Sequence, residues 1–326
     1  MNKKIFIDNY ELINKIGSGS FGEVYMARNK IDKQMYAAKI EESKEKNRLK
    51  SEYNIYKKIN KDNRISGIPK VNNFIQTSEY NILIMEMLGP SLESKFDTND
   101  RKISLQCLFK VGLDMLELIR NFHRRGFIHR DIKPNNFLFN YQKPLKVCDE
   151  IKPINPNLNP NLNLNLNPNL NQNVDDKLIP LDKLYIMDFG LSKPYVVNGE
   201  HIDIKFDRSL IGTARYCSLN IHWGIEPSRR DDLESIAYIL IYLFKGSLPW
   251  QGLKKDKNKN QVEKIGDKKL TTQTEDLCKD MPDCFRLFLD YSRKLKFEQK
   301  PDYDYIFDLF NKDITKLNIT PQYDWD

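Results

Sequence analysis

Asp131 and Asn136 stand five residues apart in IHRDIKPNNFLF (Ile128–Phe139), a polar loop between apolar, strand-like ends. A second acidic position, Asp188, follows a hydrophobic run in YIMDFGLSK (Tyr185–Lys193) and precedes Gly190. Moving a phosphoryl group from a nucleotide to a hydroxyl needs a carboxylate that orients the hydroxyl and accepts its proton. It also needs hard oxygen ligands for Mg2+ and a cation near the moving group. Asp131 suits the first task, Asn136 and Asp188 the second, and Lys133 the third. Turn residues and helix caps would explain any one of these positions, but not the ordered set.

The upstream sequence extends the same chemistry. GSGSFGEVY (Gly17–Tyr25) contains Gly17, Ser18, Gly19, Ser20, Phe21, Gly22 and Val24, a glycine pattern placed between two strands. Three glycines let a backbone turn lie close over phosphates with its N–H groups free to meet oxygens. Glycines also serve plain hairpins, so the pattern is weak alone. A dinucleotide fold would place a helix straight after it, whereas here a strand follows, which rejects that reading. YAAKI puts Lys39 on the third strand, on the face of Ala37. A strand lysine can simply snorkel, but Glu52, on the next helix, is placed to hold it extended towards a pair of phosphates.

The elements that must position these groups read in two blocks. From Tyr10 to Ile40, short alternating segments with a turn at Lys30–Lys33 predict an antiparallel meander. A helix is expected over Lys44–Ile59, with Leu49, Tyr53, Tyr56 and Ile59 on one face, then a strand over Asn81–Met87. Beyond that the chain turns helical. Ser104 can cap a helix whose apolar side includes Leu105, Leu108, Met115, Leu118 and Phe122 and which stops at Gly126. Asp231–Lys245 is apolar nearly all round and should be buried.

The 326 residues, 40% hydrophobic and 30% charged, suit a folded protein of about two domains or lobes. No apolar run of signal-peptide length opens the chain, and Ile236–Phe244 is far short of the ~20 residues of a membrane helix. Five cysteines without a CxxC pair predict reduced thiols in the cytosol or nucleus, and four scattered histidines argue against zinc. The net charge of +7 is spread along the chain, and its one dense run, Lys254–Asn260, is broken by Asp256. Direct nucleic-acid binding is therefore disfavoured.

MEMLGPSLE (Met85–Glu93), HRDIKPNNFL and the long stretch Gly212–Leu253 make the chain resemble the casein kinase I family of eukaryotic-type serine/threonine protein kinases. Ser218-Leu219-Asn220 in place of an Ala-Pro-Glu triplet is similar to that family too. The likeness runs from about Tyr10 to Trp325. It implies an α+β bilobal kinase fold, with a β-rich N-lobe and hinge over 1–88 and a helical C-lobe over 89–326. It implies ATP and Mg2+, transfer to Ser or Thr in proteins with acidic or phosphorylated residues near the target, a monomer, and no membrane. Ile16, Val24, Ala37 and Leu138 would sandwich the adenine, with Met85 as gatekeeper and Glu86 and Leu88 as hinge. Thr213 would sit below Asp131, with His129 as a packing residue. Arg130, Lys205 and Gly252 would belong to an anion pocket beside the activation segment. A pseudokinase scaffold is the alternative, and it is disfavoured because Gly17, Lys39, Glu52, Asp131, Asn136 and Asp188 are all present.

Between Asn136 and Asp188 runs NPNLNPNLNLNLNPNLNQN (Asn155–Asn173). Because those two residues must share metal ions, no domain boundary can fall there. We read 143–181 as an insert in the loop joining two neighbouring strands, and its composition argues for disorder. PDYDYIFDLF to YDWD reads as the end of the catalytic domain, so an enzyme active as synthesised, without activation-loop phosphorylation, is expected.

Lys205 stands where the family usually has arginine, and Gln261 where it usually has lysine; nearby Lys254, Lys255, Lys257 and Lys259 add little on a solvated loop. Lysine lacks the bidentate guanidinium fork, and glutamine removes a charge. Acid-directed specificity with a weak preference for a phosphate primer is the expected outcome. It is measured with two peptides differing only in phosphoserine against serine three residues before the target. A strong preference for the primed peptide that persists in Lys205→Ala would overturn this account of the pocket.

Overall fold

Period-two alternation in the first ninety residues builds one twisted antiparallel sheet. In the computed structural model, which describes residues 5–19, 22–43, 48–61, 65–142, 182–254 and 260–325, the strands are β1 (Ile5–Ile7), β2 (Tyr10–Gly19), β3 (Gly22–Asn29), β4 (Met35–Glu42), β5 (Val71–Gln76) and β6 (Tyr80–Glu86). Their order in the sheet is β1-β2-β3-β4-β6-β5. The meander from Tyr10 onward is as expected, but β1 adds an edge strand, pairing Ile5 with Leu12. Lys39 therefore lies on the fourth strand, not the third; three residues are too few to show an alternation.

Alternation also separates the faces. Tyr10, Ala27, Ala38, Ile82 and Ile84 pack on one side, while Ala37, Leu83 and Met85 face the main core. Against that second face lies α1 (Arg48–Ile59), burying Leu49, Glu52, Tyr56 and Ile59. Tyr53 stacks on Phe74 with ring centroids 5.0 Å apart. The expected helix start at Lys44 falls on residues outside the described set.

The helical lobe forms around α3 (Leu105–Arg124) and α5 (Arg229–Lys245), joined by α8 (Asp283–Lys294) and α9 (Tyr303–Lys316). Ser104 caps α3 as predicted, its Oγ accepting from Cys107 N at 3.1 Å. α5 begins two residues before the expected Asp231, whose Oδ2 accepts from Ser228 N at 2.7 Å, and every residue from Leu233 to Leu243 is buried. Each large apolar side chain so buried contributes about 1.5–3 kcal/mol relative to exposure.

Strands β9 (Phe137–Asn140) and β10 (Leu184–Ile186) pair antiparallel, Phe139 opposite Leu184, and β9 also pairs β7 (Leu88–Ser91). Asn140 N donates to Lys183 O at 3.0 Å. The expectations for 143–181 lie outside the described residues, yet the ends that flank them are already adjacent. Closing a loop between adjacent ends costs little and depends weakly on its length. Deleting 153–172 should keep the rate on a peptide substrate within about threefold. Loss of soluble, cooperatively melting protein in that deletion would contradict this.

Candidate active site

The loop carrying Asp131 is held from below by one side chain. Two successive amides, His129 N and Arg130 N, donate to Asp232 Oδ2 at 2.7 Å and Oδ1 at 2.9 Å. The Nε2 of His123 bonds the same carboxylate at 2.9 Å. Burial pushes the Asp232 pKa up, but the His123 hydrogen bond, the nearby imidazoles and the His129 amide outweigh it and leave the group below its ordinary value. His129 has both ring nitrogens engaged, Nε2 with Met187 O at 3.1 Å and Nδ1 accepting from Asp131 N at 3.3 Å. Its ring packs on Phe122 and Phe189.

Arg130 adopts a left-handed backbone with φ 68°, and Gly212, with φ 80°, crosses directly over it. A Cβ on Gly212 would lie 2.3 Å from Arg130 O, so only glycine permits the approach. The next residue, Thr213, then reaches the loop, its Oγ1 donating to Asp131 Oδ1 at 2.8 Å. Lys133 Nζ donates to Asp131 Oδ2 at 2.7 Å, and Asn136 Nδ2 to Asp131 O at 2.9 Å. The Asp131 carboxylate is buried to 7% exposure, with one oxygen on a hydroxyl and the other on an ammonium.

Asp188 approaches from β10 in a left-handed conformation, φ 67° and ψ 70°. Its predecessor Met187 N donates to Asn136 O at 3.0 Å, which ties the strands on either side of 143–181 together at the site. Lys39 Nζ donates to Glu52 Oε2 at 2.8 Å and to Asp188 Oδ1 at 2.9 Å. Burial alone would lower the Lys39 pKa, but Glu52 and Asp188 reverse that and raise it; Asp188 is lowered, Lys39 overcoming the cost of burial. Phe189, between Asp188 and Gly190, packs on Tyr56 of α1 at 4.6 Å and on Phe122 of α3 at 4.8 Å.

Above this lies the glycine hairpin. Gly17 faces Val24, Ser18 faces Glu23 and Gly19 faces Gly22; Ser20 and Phe21 lie outside the described residues. Gly22 has φ 126°, and a Cβ there would sit 2.0 Å from Ile40 O. Val24 is opposite Lys39, and Ala37 opposite Met85, which is 2% exposed. Ile16 on β2 is exposed, while Leu138 on β9 lies opposite Tyr185. Glu86 ends β6, its N–H donating to Lys70 O at 2.7 Å, and Leu88 begins β7. Among the described residues no three His, Cys, Asp or Glu cluster as metal ligands. Asn136 and Asp188 instead offer a small hard-oxygen set of the kind Mg2+ completes with phosphates and water.

The family model Protein kinase domain matches residues 10–149. Casein kinase I homolog 3 of Schizosaccharomyces pombe is 38% identical over 322 residues, which is 97% of this chain. The chain is thus similar to a casein kinase I homolog over nearly its whole length. It spans 65% of that relative's length. The bilobal fold, a six-stranded lobe above a cleft and a helical lobe below it, is that of a protein kinase.

The implied anion pocket names Arg130, Lys205 and Gly252. Arg130 Nε donates to Leu191 O at 2.6 Å, and Arg130 lines a 340 Å3 cavity with Arg208 and Glu226. Lys205 and Gly252 do not line it; Lys205 is exposed, its carbonyl accepting from Glu226 N at 2.8 Å. Arg208 and Lys193, not singled out from the sequence, pair with Glu226 at 3.1 and 2.8 Å. Asp232, Gly212 and Tyr56 were missed as well. For Asp232 a signal existed: a carboxylate in the first turn of a helix otherwise built to be buried must find partners.

Proposed function

We propose that this chain is a serine/threonine protein kinase of casein kinase I type, moving the γ-phosphoryl group of ATP to a hydroxyl of an acidic or phosphorylated protein substrate. What supports the reading most is Asp131, buried and bonded at once by Thr213, Lys133 and the Asn136 amide. A serine hydroxyl arriving there donates to the Asp131 carboxylate, which fixes the oxygen for in-line attack and takes its proton as the new O–P bond forms. The bond from the γ-phosphorus to the bridging oxygen breaks, and ADP leaves. Lys133 compensates charge on the transferred oxygens, and Lys39, held by Glu52, is placed for the other phosphates. Mg2+, carried by Asn136 and Asp188, would neutralise phosphate charge in this reading. Ile16, Gly17, Ser18, Gly19, Gly22, Val24, Ala37, Met85, Glu86, Leu88 and Leu138 form the proposed nucleotide cleft.

Among the described residues no helix is long and apolar enough to cross a membrane. Cys107, Cys217, Cys278 and Cys284 are buried thiols outside any disulfide, which fits a reducing compartment such as the cytosol or nucleus. The activation segment is held by backbone contacts such as Arg208 N to Gly224 O at 2.9 Å, which supports activity without prior phosphorylation.

With Mg-ATP and casein or an acidic peptide, the purified protein should transfer phosphate to serine. Asp131→Asn should cut kcat by about 10²–10⁴-fold while ATP affinity stays within about threefold. Full activity in Asp131→Asn would sink the assignment, and ATP binding without transfer by the unaltered protein would favour a scaffold.

A further inference from the structure

We propose that Lys269 is a positioning residue for the peptide substrate, clasping the loop that continues from Thr213 past Asp131. This rests on the kinase reading above. Lys269 lies on α6 (Gln261–Thr271) and is fully buried. Its Nζ donates to Ala214 O at 2.8 Å and to Cys217 O at 2.5 Å. Its remaining surroundings are aromatic, with the Tyr238 ring centroid 5.0 Å away and that of Trp250 5.2 Å away. Trp250 Nε1 donates to Arg215 O at 2.7 Å, so the carbonyls of Ala214, Arg215 and Cys217 are all taken by these two side chains.

Two features show that the site is built rather than incidental. α6 comes close because residue 266 is glycine; a Cβ there would meet the His222 ring at 3.1 Å. Residues 266 and 269 share a helix face, so the close approach delivers the lysine to the loop. In addition, no carboxylate lies within ion-pair distance of Lys269 among the described residues; its direct partners are carbonyl dipoles and ring faces, with Glu234 acting only from farther off. Burial lowers its pKa to about 8, the cost of placing an ammonium there. A lysine kept only for packing would be bettered by an apolar side chain of similar length. What it supplies instead is directed donors to a loop whose first residue touches Asp131. Ala214 and Arg215 remain half-buried directly after Thr213, which bonds that carboxylate, so a peptide whose serine reaches Asp131 would run along them.

The test compares unaltered protein with Lys269→Met, which fills the space without donors, and with Trp250→Phe, which keeps a ring but loses one donor. Lys269→Met should raise KM for an acidic serine peptide at least about tenfold, the cost of leaving buried carbonyls unpaired. Its KM for ATP should stay within about twofold. Trp250→Phe should give about a threefold rise in peptide KM. An unchanged peptide KM in a folded Lys269→Met protein, or equal rises for peptide and ATP, overturns the proposal. If Lys269→Met does not fold, an unchanged peptide KM in Trp250→Phe overturns it. Fluorescence-polarisation titration of the labelled peptide reads the same loss without catalysis. Peptide binding that weakens in the variants of a protein that transfers no phosphate would thus refute the kinase reading and leave the clasp standing.

Discussion

One buried carboxylate sets the geometry on which the rest depends. Asp232 receives the amides of His129 and Arg130 and the imidazole of His123, in the buried first turn of α5. Ionised and out of water, it is tolerable only with those donors in place. The dependence runs both ways: the loop is shaped so that its amides converge, which forces Arg130 into a left-handed conformation. That conformation turns its carbonyl to Gly212, and the close approach brings Thr213 to Asp131. From the floor of the helical lobe to the Asp131 carboxylate, each contact is the condition for the next.

A second charge joins the lobes. Lys39 spans from the sheet to Glu52 on α1 and to Asp188 below, at 2.8 and 2.9 Å. Phe189 packs beside it between α1 and α3, so the ion triad and the aromatic contact report the same closed arrangement. Breaking a buried pair by removing one partner is far more costly than the pair's net worth. Displacing α1 would therefore disturb Asp188, and through Met187 N the Asn136 carbonyl.

Much of this was legible in the sequence because the chemistry-bearing residues lie in short, ordered motifs. Asp131, Asn136 and Asp188 converge as their motifs require, and the strands, α1, α3 and α5 follow from periodicity and caps. What was not legible depends on approach between distant segments. Gly212 is special only because Arg130 lies 2.3 Å from where its Cβ would be, and Lys269 only because Gly266 lets α6 descend on Ala214 and Cys217. The edge strand β1 was too short to alternate. For the anion pocket, aligned positions did not show that Arg130 turns to Leu191 O and lines a cavity with Arg208 and Glu226.

The central claim is that residues on both sides of 143–181 make one nucleotide and metal site. It is tested by measuring the Kd of Mg-ATP calorimetrically for the unaltered protein, Asn136→Ala, Asp188→Asn and the double variant. A shared site predicts non-additive losses, with a coupling of about 1 kcal/mol or more between the two positions. Losses that add within about 0.3 kcal/mol would contradict it.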